Sequence, residues 1–188
     1  MAEKQYGMLI YTGRCVGCQT CVVGCKILHE CPGGVYLGRL ETVGSEENYH
    51  VQGTYPNVSV TFRPHLCNHC ANPLCVANCP TGAMAKRDED GIVESDPNVC
   101  IGCGTCVQAC PYGAPVLDEE RGIVRKCDLC RPRIEQGEEP LCVASCPAEA
   151  RVYGLVGDPS DELAALVAER GGEVLLPEEG TEPSVYYC

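Results

Sequence analysis

Tryptophan is missing from this chain of 188 residues, and phenylalanine occurs once. With nine tyrosines as the other aromatics, large apolar side chains are too few for a conventional core. Positive charge is also scarce: 14 Lys and Arg stand against 26 Asp and Glu, a formal charge of −12. Phosphate backbones need a basic face, so no nucleic-acid partner is expected. Acidic runs such as Asp88-Glu89-Asp90 read as solvated surface. No apolar run approaches the length of a membrane-spanning helix, and the opening MAEKQYGMLIYTGRC lacks a long apolar stretch. The expectation is a chain soluble by itself, without signal peptide or transmembrane helix, either cytoplasmic or exported with a partner. Gly-rich stretches lack P-loop or dinucleotide-fingerprint spacing, and no catalytic constellation appears.

What is abundant is cysteine. Sixteen of the 18 fall into four quartets: Cys15, Cys18, Cys21, Cys25; Cys67, Cys70, Cys75, Cys79; Cys100, Cys103, Cys106, Cys110; and Cys127, Cys130, Cys142, Cys146. The first and third read C-x2-C-x2-C-x3-C, the spacing of bacterial two-cluster ferredoxins. A disulfide framework would need an oxidising compartment, usually with a secretory signal. Zinc is the stronger rival, because C-x2-C pairs seed zinc sites, but zinc does not need three ligands in a seven-residue loop and a fourth before proline. Iron–sulfur cubanes account for the spacing: a tight loop brings three thiolates to one cube, and the fourth cysteine points to another. Gly17 and Gly102 precede the second cysteines and let the backbone aim N–H groups at sulfur. Pro80, Pro111 and Pro147 follow the fourth cysteines of three motifs, whereas motif one has Lys26 there. Gly and Pro together number 35, which favours loops, so metal binding is expected to carry the fold and the apo-chain to be largely unfolded.

The motifs repeat as A-B-A-B. Cys15-Val-Gly-Cys-Gln-Thr-Cys matches Cys100-Ile-Gly-Cys-Gly-Thr-Cys, and Leu74-Cys-Val-Ala-Asn-Cys-Pro matches Leu141-Cys-Val-Ala-Ser-Cys-Pro. The expected fold is α+β: duplicated two-[4Fe-4S] ferredoxin-like units, rich in loops, with short strands and a C-terminal helix and tail. Twenty residues separate Cys79 from Cys100, which suits a compact core, so motifs two and three pair and motifs one and four are left to each other. The ligand sets that follow are Cys15, Cys18, Cys21 with Cys146 (cluster 1) and Cys127, Cys130, Cys142 with Cys25 (cluster 2). Cluster 3 takes Cys67, Cys70, Cys75 with Cys110, and cluster 4 takes Cys100, Cys103, Cys106 with Cys79. The chain divides into residues 1–66, the first motif plus a long insertion; 67–110, a central two-cluster unit; 111–150, the fourth motif; and 151–188, a strand, helix and docking tail.

Between the motifs, residues 83–86 and 92–94 read as short strands around the charged turn at 88–91. Residues 58–62 read as one strand, with Pro32-Gly-Gly and Gly44-Ser-Glu-Glu-Asn as loop. Residues 151–156 read as a strand. A helix follows over 160–170, capped by Asp158 or Ser160 and stopped at Gly171-Gly172, with Leu163, Leu166 and Val167 facing the ferredoxin units. The apolar tail end is expected to be strapped to the body or docked on another subunit.

These residues resemble the four-cluster iron–sulfur subunits of the DMSO-reductase superfamily of molybdopterin oxidoreductases, such as those of DMSO reductase, polysulfide reductase and pyrogallol–phloroglucinol transhydroxylase. The likeness runs from Gln5-Tyr-Gly through the motif-one segment, Cys67-Asn-His-Cys, Cys79-Pro-Thr-Gly-Ala-Met, Cys110-Pro-Tyr-Gly-Ala-Pro and Lys126-Cys-Asp-Leu-Cys to Pro183-Ser-Val-Tyr-Tyr. It implies an electron-transfer subunit, not itself catalytic, working with a large molybdenum- or tungsten-pterin subunit and with a membrane anchor or soluble donor. It implies the same pairing of motifs, cluster 1 nearest the catalytic subunit and cluster 4 most distant. Nitrate reductases of the superfamily carry Trp in place of one motif-three cysteine; here Cys103 fills that place, so four [4Fe-4S] clusters are implied. The runner-up is a relay for a hydrogenase, formate dehydrogenase or carbon monoxide dehydrogenase. A zinc-stabilised interaction module is the alternative from another class.

Arg125, Lys126, Arg131 and Arg133 crowd motif four, where positive charge would raise a cluster's potential, against the plainer reading as surface charge. His69, between Cys67 and Cys70, is read as an outer-shell or surface residue rather than a ligand. His29, His50 and His65 carry no constellation, and Cys31 and Cys188 are read as idle thiols.

Overall fold

The two ends of the chain meet in one sheet. In the computed structural model, which describes residues 4–44 and 51–188, β1 (Tyr6–Ile10) is followed by helix α1 (Thr20–Leu28), which carries Cys21 and Cys25. The insertion then contributes β2 (Arg39–Thr42), β3 (Gln52–Thr54), β4 (Asn57–Ser59) and β5 (Phe62–His65). The central motifs give α2 (Leu74–Ala77), a hairpin of β6 (Met84–Lys86) and β7 (Val93–Ser95), and α3 (Thr105–Ala109). A second hairpin, β8 (Val116–Asp118) and β9 (Ile123–Arg125), precedes the short helices α4 (Arg131–Ile134) and α5 (Leu141–Ala144). The chain ends with β10 (Arg151–Leu155), α6 (Glu162–Arg170), β11 (Glu173–Val174) and β12 (Val185–Tyr187). This is a small mixed helix-and-strand fold.

Sheet order is β10-β1-β12-β11, with β1 antiparallel to β10 and parallel to β12. Met8, Leu9 and Ile10 have no exposed surface, because both faces of β1 are covered. Alternation of side chains splits them. Met8 and Ile10 pack with Val185, Tyr187, Leu66 and Leu129 against the cysteine-bearing side, while Leu9 packs with Tyr11 and Leu163. Helix α6 thus covers the terminal sheet rather than the cysteine motifs, a correction to the expected packing. Its cap is also neither Asp158 nor Ser160: Asp161 Oδ1 accepts from the Leu163 amide at 2.8 Å, so the helix starts at Glu162. Gly171, at φ +62°, ends it as expected.

The tail is strapped down. Besides the β12 pairing, Ala71 and Asn72 amides donate to the Glu182 and Thr181 carbonyls at 2.8 and 3.0 Å, and the Ser184 amide donates to Asn68 O at 2.9 Å. The C-terminal segment therefore clamps the loop that carries Cys67 and Cys70. The hairpin expected at 83–94 is present one residue later. The single strand expected over 58–62 is instead two strands: β4 pairs with β3, and β5 with β2. Both partners lie in the stretch read as loop; of the Gly44-Ser-Glu-Glu-Asn loop, residues 45–48 lie outside the described residues. Among the described residues no helix is long and apolar enough to cross a membrane.

Candidate metal centres

The short helices are too brief to persist alone, and those that carry motif cysteines pack in pairs. α1 packs on α5, which carries Cys142; α2, with Cys75, packs on α3, with Cys106. Local backbone repeats with the motifs: α1 and α3 open from left-handed residues, Gln19 (φ +61°) and Gly104 (φ +74°), while α2 and α5 open after Pro73 and Pro140. Gly17 and Gly102 are left-handed too, and a Cβ there would strike the Phe62 ring and the Gly122 carbonyl. The Gly17 amide also hydrogen-bonds Cys15, lowering its thiol against the larger upward effect of burial.

The thiols gather in four places. Burial pushes Cys25 up to about 12, and the charges of Cys130 and Cys142 add to it; Cys127 is raised in turn by burial and by Cys25. Cys25, Cys127, Cys130 and Cys142, with Cys21 beside them, line one cavity. Cys75 and Cys70 are pushed up to about 12 and about 11 by burial, then by Cys67, with Cys110 also contributing. Cys79, Cys100, Cys103 and Cys106 line another cavity. Cys15 is raised by burial and by Cys21 and Cys146. Cys18 stands exposed, its Sγ 3.4 Å from Thr20 Oγ1; Cys103 and Thr105 repeat that contact at 3.4 Å.

Neighbouring groups influence one another in sequence. Cys21 acts on Cys142, Cys67 acts on Cys127, and Cys75 and Cys106 pack in one core with Met84, Val93 and Val124. Backbone amides aim at four of the sulfurs: Met84 at Cys79 and Val124 at Cys100 (both 3.3 Å), Leu129 at Cys127 and Ala150 at Cys146 (both 3.4 Å). The donor set therefore fits iron–sulfur clusters. Soft thiols come in groups, burial and mutual repulsion disfavour the charged forms of inner ones such as Cys25, Cys75 and Cys127 unless a metal neutralises them, and N–H donors face several of the sulfurs.

The sequence-selected cations separate. Lys126 is buried, its Nζ donating to the carbonyls of Val93 and of Cys127, the latter at 2.8 Å, and its charge acts on Cys75. Arg125 Nη2 donates to His29 O at 2.5 Å and Nη1 lies 3.5 Å from Asp118 Oδ2. Arg131 is taken up by Glu94 at 3.2 Å and Glu135 at 2.9 Å, and Arg133 by Glu138 at 2.9 Å. His69 is buried rather than at the surface; its Nδ1 accepts from the Val93 amide at 3.1 Å, and burial, with Lys126 and Lys86 beside it, holds it well below the usual histidine range.

Sequence reasoning missed three residues. Arg151 is buried, and its Nη2 donates to Cys21 Sγ at 3.3 Å; burial works against the charge, but Cys142 and Cys21 outweigh it and hold the guanidinium more firmly protonated. His65 and Arg39 line the cavity of Cys127 and Cys142. A lone Arg or His offers no spacing signal, so only folding reveals them. His29 Nε2 lies 3.6 Å from Asp128 Oδ1 and 3.8 Å from Cys130 Sγ, at the same cavity's edge. Cys31 is buried near Cys25, and Cys188 is half-buried, its carbonyl accepting from Thr12 N at 2.8 Å.

Comparison with known proteins agrees with this donor set. The family profile described as "4Fe-4S dicluster domain" matches residues 58–156. A sulfite dehydrogenase subunit of Allochromatium vinosum is 39% identical, over 97% of this chain and 82% of its own length. A tetrathionate reductase subunit of Salmonella typhimurium is 41% identical over 98% and 72%. A component of the anaerobic dimethyl sulfoxide reductase of Escherichia coli is 40% identical over 96% and 87%.

Proposed function

This protein is a member of the 4Fe-4S dicluster domain family, and from that premise we propose that it is the electron-transfer subunit of a molybdenum- or tungsten-pterin oxidoreductase, with four [4Fe-4S] clusters and no catalytic site of its own. When bound, such clusters supply one-electron exchange at potentials set by their surroundings. The observation that carries the reading is the serial order of the four thiol groups, each close enough to the next to act on it electrostatically or to share a packed core.

The ligand sets are Cys15, Cys18, Cys21, Cys146; Cys25, Cys127, Cys130, Cys142; Cys67, Cys70, Cys75, Cys110; and Cys79, Cys100, Cys103, Cys106. The mutual effects of the thiols support them, and so does the packing of α1 on α5 and α2 on α3. This corresponds to a duplicated two-cluster unit: residues 67–110 at the centre, residues 1–66 and 111–150 wrapped around it, and 151–188 fastening the ends. The protein's work is to exclude water from the inner groups, aim amides at sulfur and place Arg151 and Lys126 between them. The exposed Cys18 and Cys103 mark the two ends where electrons enter and leave, the first toward the catalytic subunit, the second toward a membrane anchor or soluble donor.

The relatives' names, which are those of sulfite dehydrogenase, tetrathionate reductase and dimethyl sulfoxide reductase components, favour this over a hydrogenase, formate dehydrogenase or carbon monoxide dehydrogenase relay. The dicluster family likewise favours iron–sulfur over a zinc module. Purification of the native complex tests the assignment. Molybdenum or tungsten in the co-purifying large subunit is expected, and nickel there would overturn it.

A further inference from the structure

The insertion between the first two motifs supplies none of the sixteen ligands, yet it builds part of a cluster wall. Pairing of β2 with β5 sets Arg39 opposite His65. Arg39 is fixed from three sides: its Nε donates to Glu41 Oε1 at 3.0 Å, Nη1 to Gly113 O at 3.0 Å, and Nη2 to Tyr112 O at 3.1 Å. The same Nη2 lies 3.4 Å from His65 Nε2. A guanidinium only donates, so Nε2 is the acceptor and the imidazole proton sits on Nδ1.

That Nδ1 is buried and has no hydrogen-bond partner among the described residues, although His65 as a whole is only 4% exposed. A buried N–H without an acceptor is costly and calls for an explanation. His65 lines the cavity that Cys25, Cys127, Cys130 and Cys142 line together with Cys21. Cysteine sulfurs line the same cavity, and N–H···S bonds favour the more negative, reduced form of a cluster.

We propose that His65 Nδ1–H donates a hydrogen bond to a sulfur of the cluster held by Cys25, Cys127, Cys130 and Cys142, with Arg39 fixing the tautomer, and so raises that cluster's reduction potential. The insertion is then a tuning device, anchored on β2 and β5. The inference rests on the ligand sets proposed above.

The test is an EPR-monitored redox titration of the anaerobically purified native complex carrying the wild-type protein, His65→Leu or His65→Asn. Asparagine returns an N–H near the place of Nδ1. His65→Leu is expected to lower one cluster's potential by about 59 mV, a tenfold change for one electron. His65→Asn recovers most of it, and the other clusters stay put. The inference is overturned if no potential moves in His65→Leu, or if both variants fall equally, which would mark a packing effect. Should the leucine variant lose its cluster, pulsed EPR of complex carrying 15N-histidine decides. A coupled histidine nitrogen present in wild type and lost in His65→Asn supports the bond, and its absence in wild type overturns it. Failure of the ligand sets reads differently, as a wild-type iron content well below about sixteen per chain.

Discussion

Two cavities hold the same kind of donor and differ in everything around it. Cys25, Cys127, Cys130 and Cys142 share their wall with Arg39, His29, His65 and Arg151. The described lining around Cys79, Cys100, Cys103 and Cys106 is Pro80, Thr81, Ala83, Met84, Ser95, Ile101 and Val124, with no charged side chain, and Cys103 is exposed. The cysteines decide which cofactor fits; the neighbours decide how readily it takes an electron. One cavity has cationic and imidazole side chains in its wall; the described wall of the other has none, and one of its cysteines, Cys103, is exposed.

The largest difference between the two should come from removing a ligand. In Cys127→Ser a deeply buried site loses a thiolate that no solvent can replace, and loss of a whole cluster is expected, about four of about sixteen iron, with a poorer yield of folded protein. Cys103→Ser, at the surface, should keep the fold and lose about one iron, leaving a three-iron cluster of the kind implied for relatives lacking this cysteine. Iron analysis and EPR check both; equal losses would erase the distinction between the cavities.

Charge comes next. Arg151 lies between Cys21 and Cys142, so Arg151→Gln is expected to lower the potentials of the two flanking clusters by about 59 mV each and to leave the cluster of Cys79 and Cys103 unmoved in the same titration. A smaller fall is expected for Lys126→Met, at the cluster beside Cys75. Lys126→Glu is a poorer probe, because it would bury a carboxylate where the ammonium meets the Val93 and Cys127 carbonyls, and loss of folded protein is expected. The smallest effect belongs to Arg131→Met. With its guanidinium already held by Glu94 and Glu135, no potential should move.

The cofactor type was legible because its spacing is local: three thiolates in seven residues carry their own geometry. The hairpin at 84–95, strand β10 and the end of α6 at Gly171 were legible for the same reason, since alternation and turn chemistry lie within a few residues. The sheet that joins β1, β10 and β12 was not, because nothing in Met8-Leu-Ile announces a partner more than 140 residues away. The insertion was misread in the same way. β2 and β3 are short and part polar, and they become strands only through β5 and β4. Charge near motif four was legible as composition, but its meaning was not. Arg131 proved neutralised, Lys126 buried, and Arg151, which the sequence did not single out, reaches a cysteine sulfur. Long-range placement decides which cation matters, and composition carries no such information.

The most direct measurement is metal and acid-labile sulfide content of the anaerobically purified protein. The account predicts about sixteen iron and about sixteen sulfide per chain with almost no zinc. About four zinc with little iron, or about eight iron with half the thiols free, would contradict it.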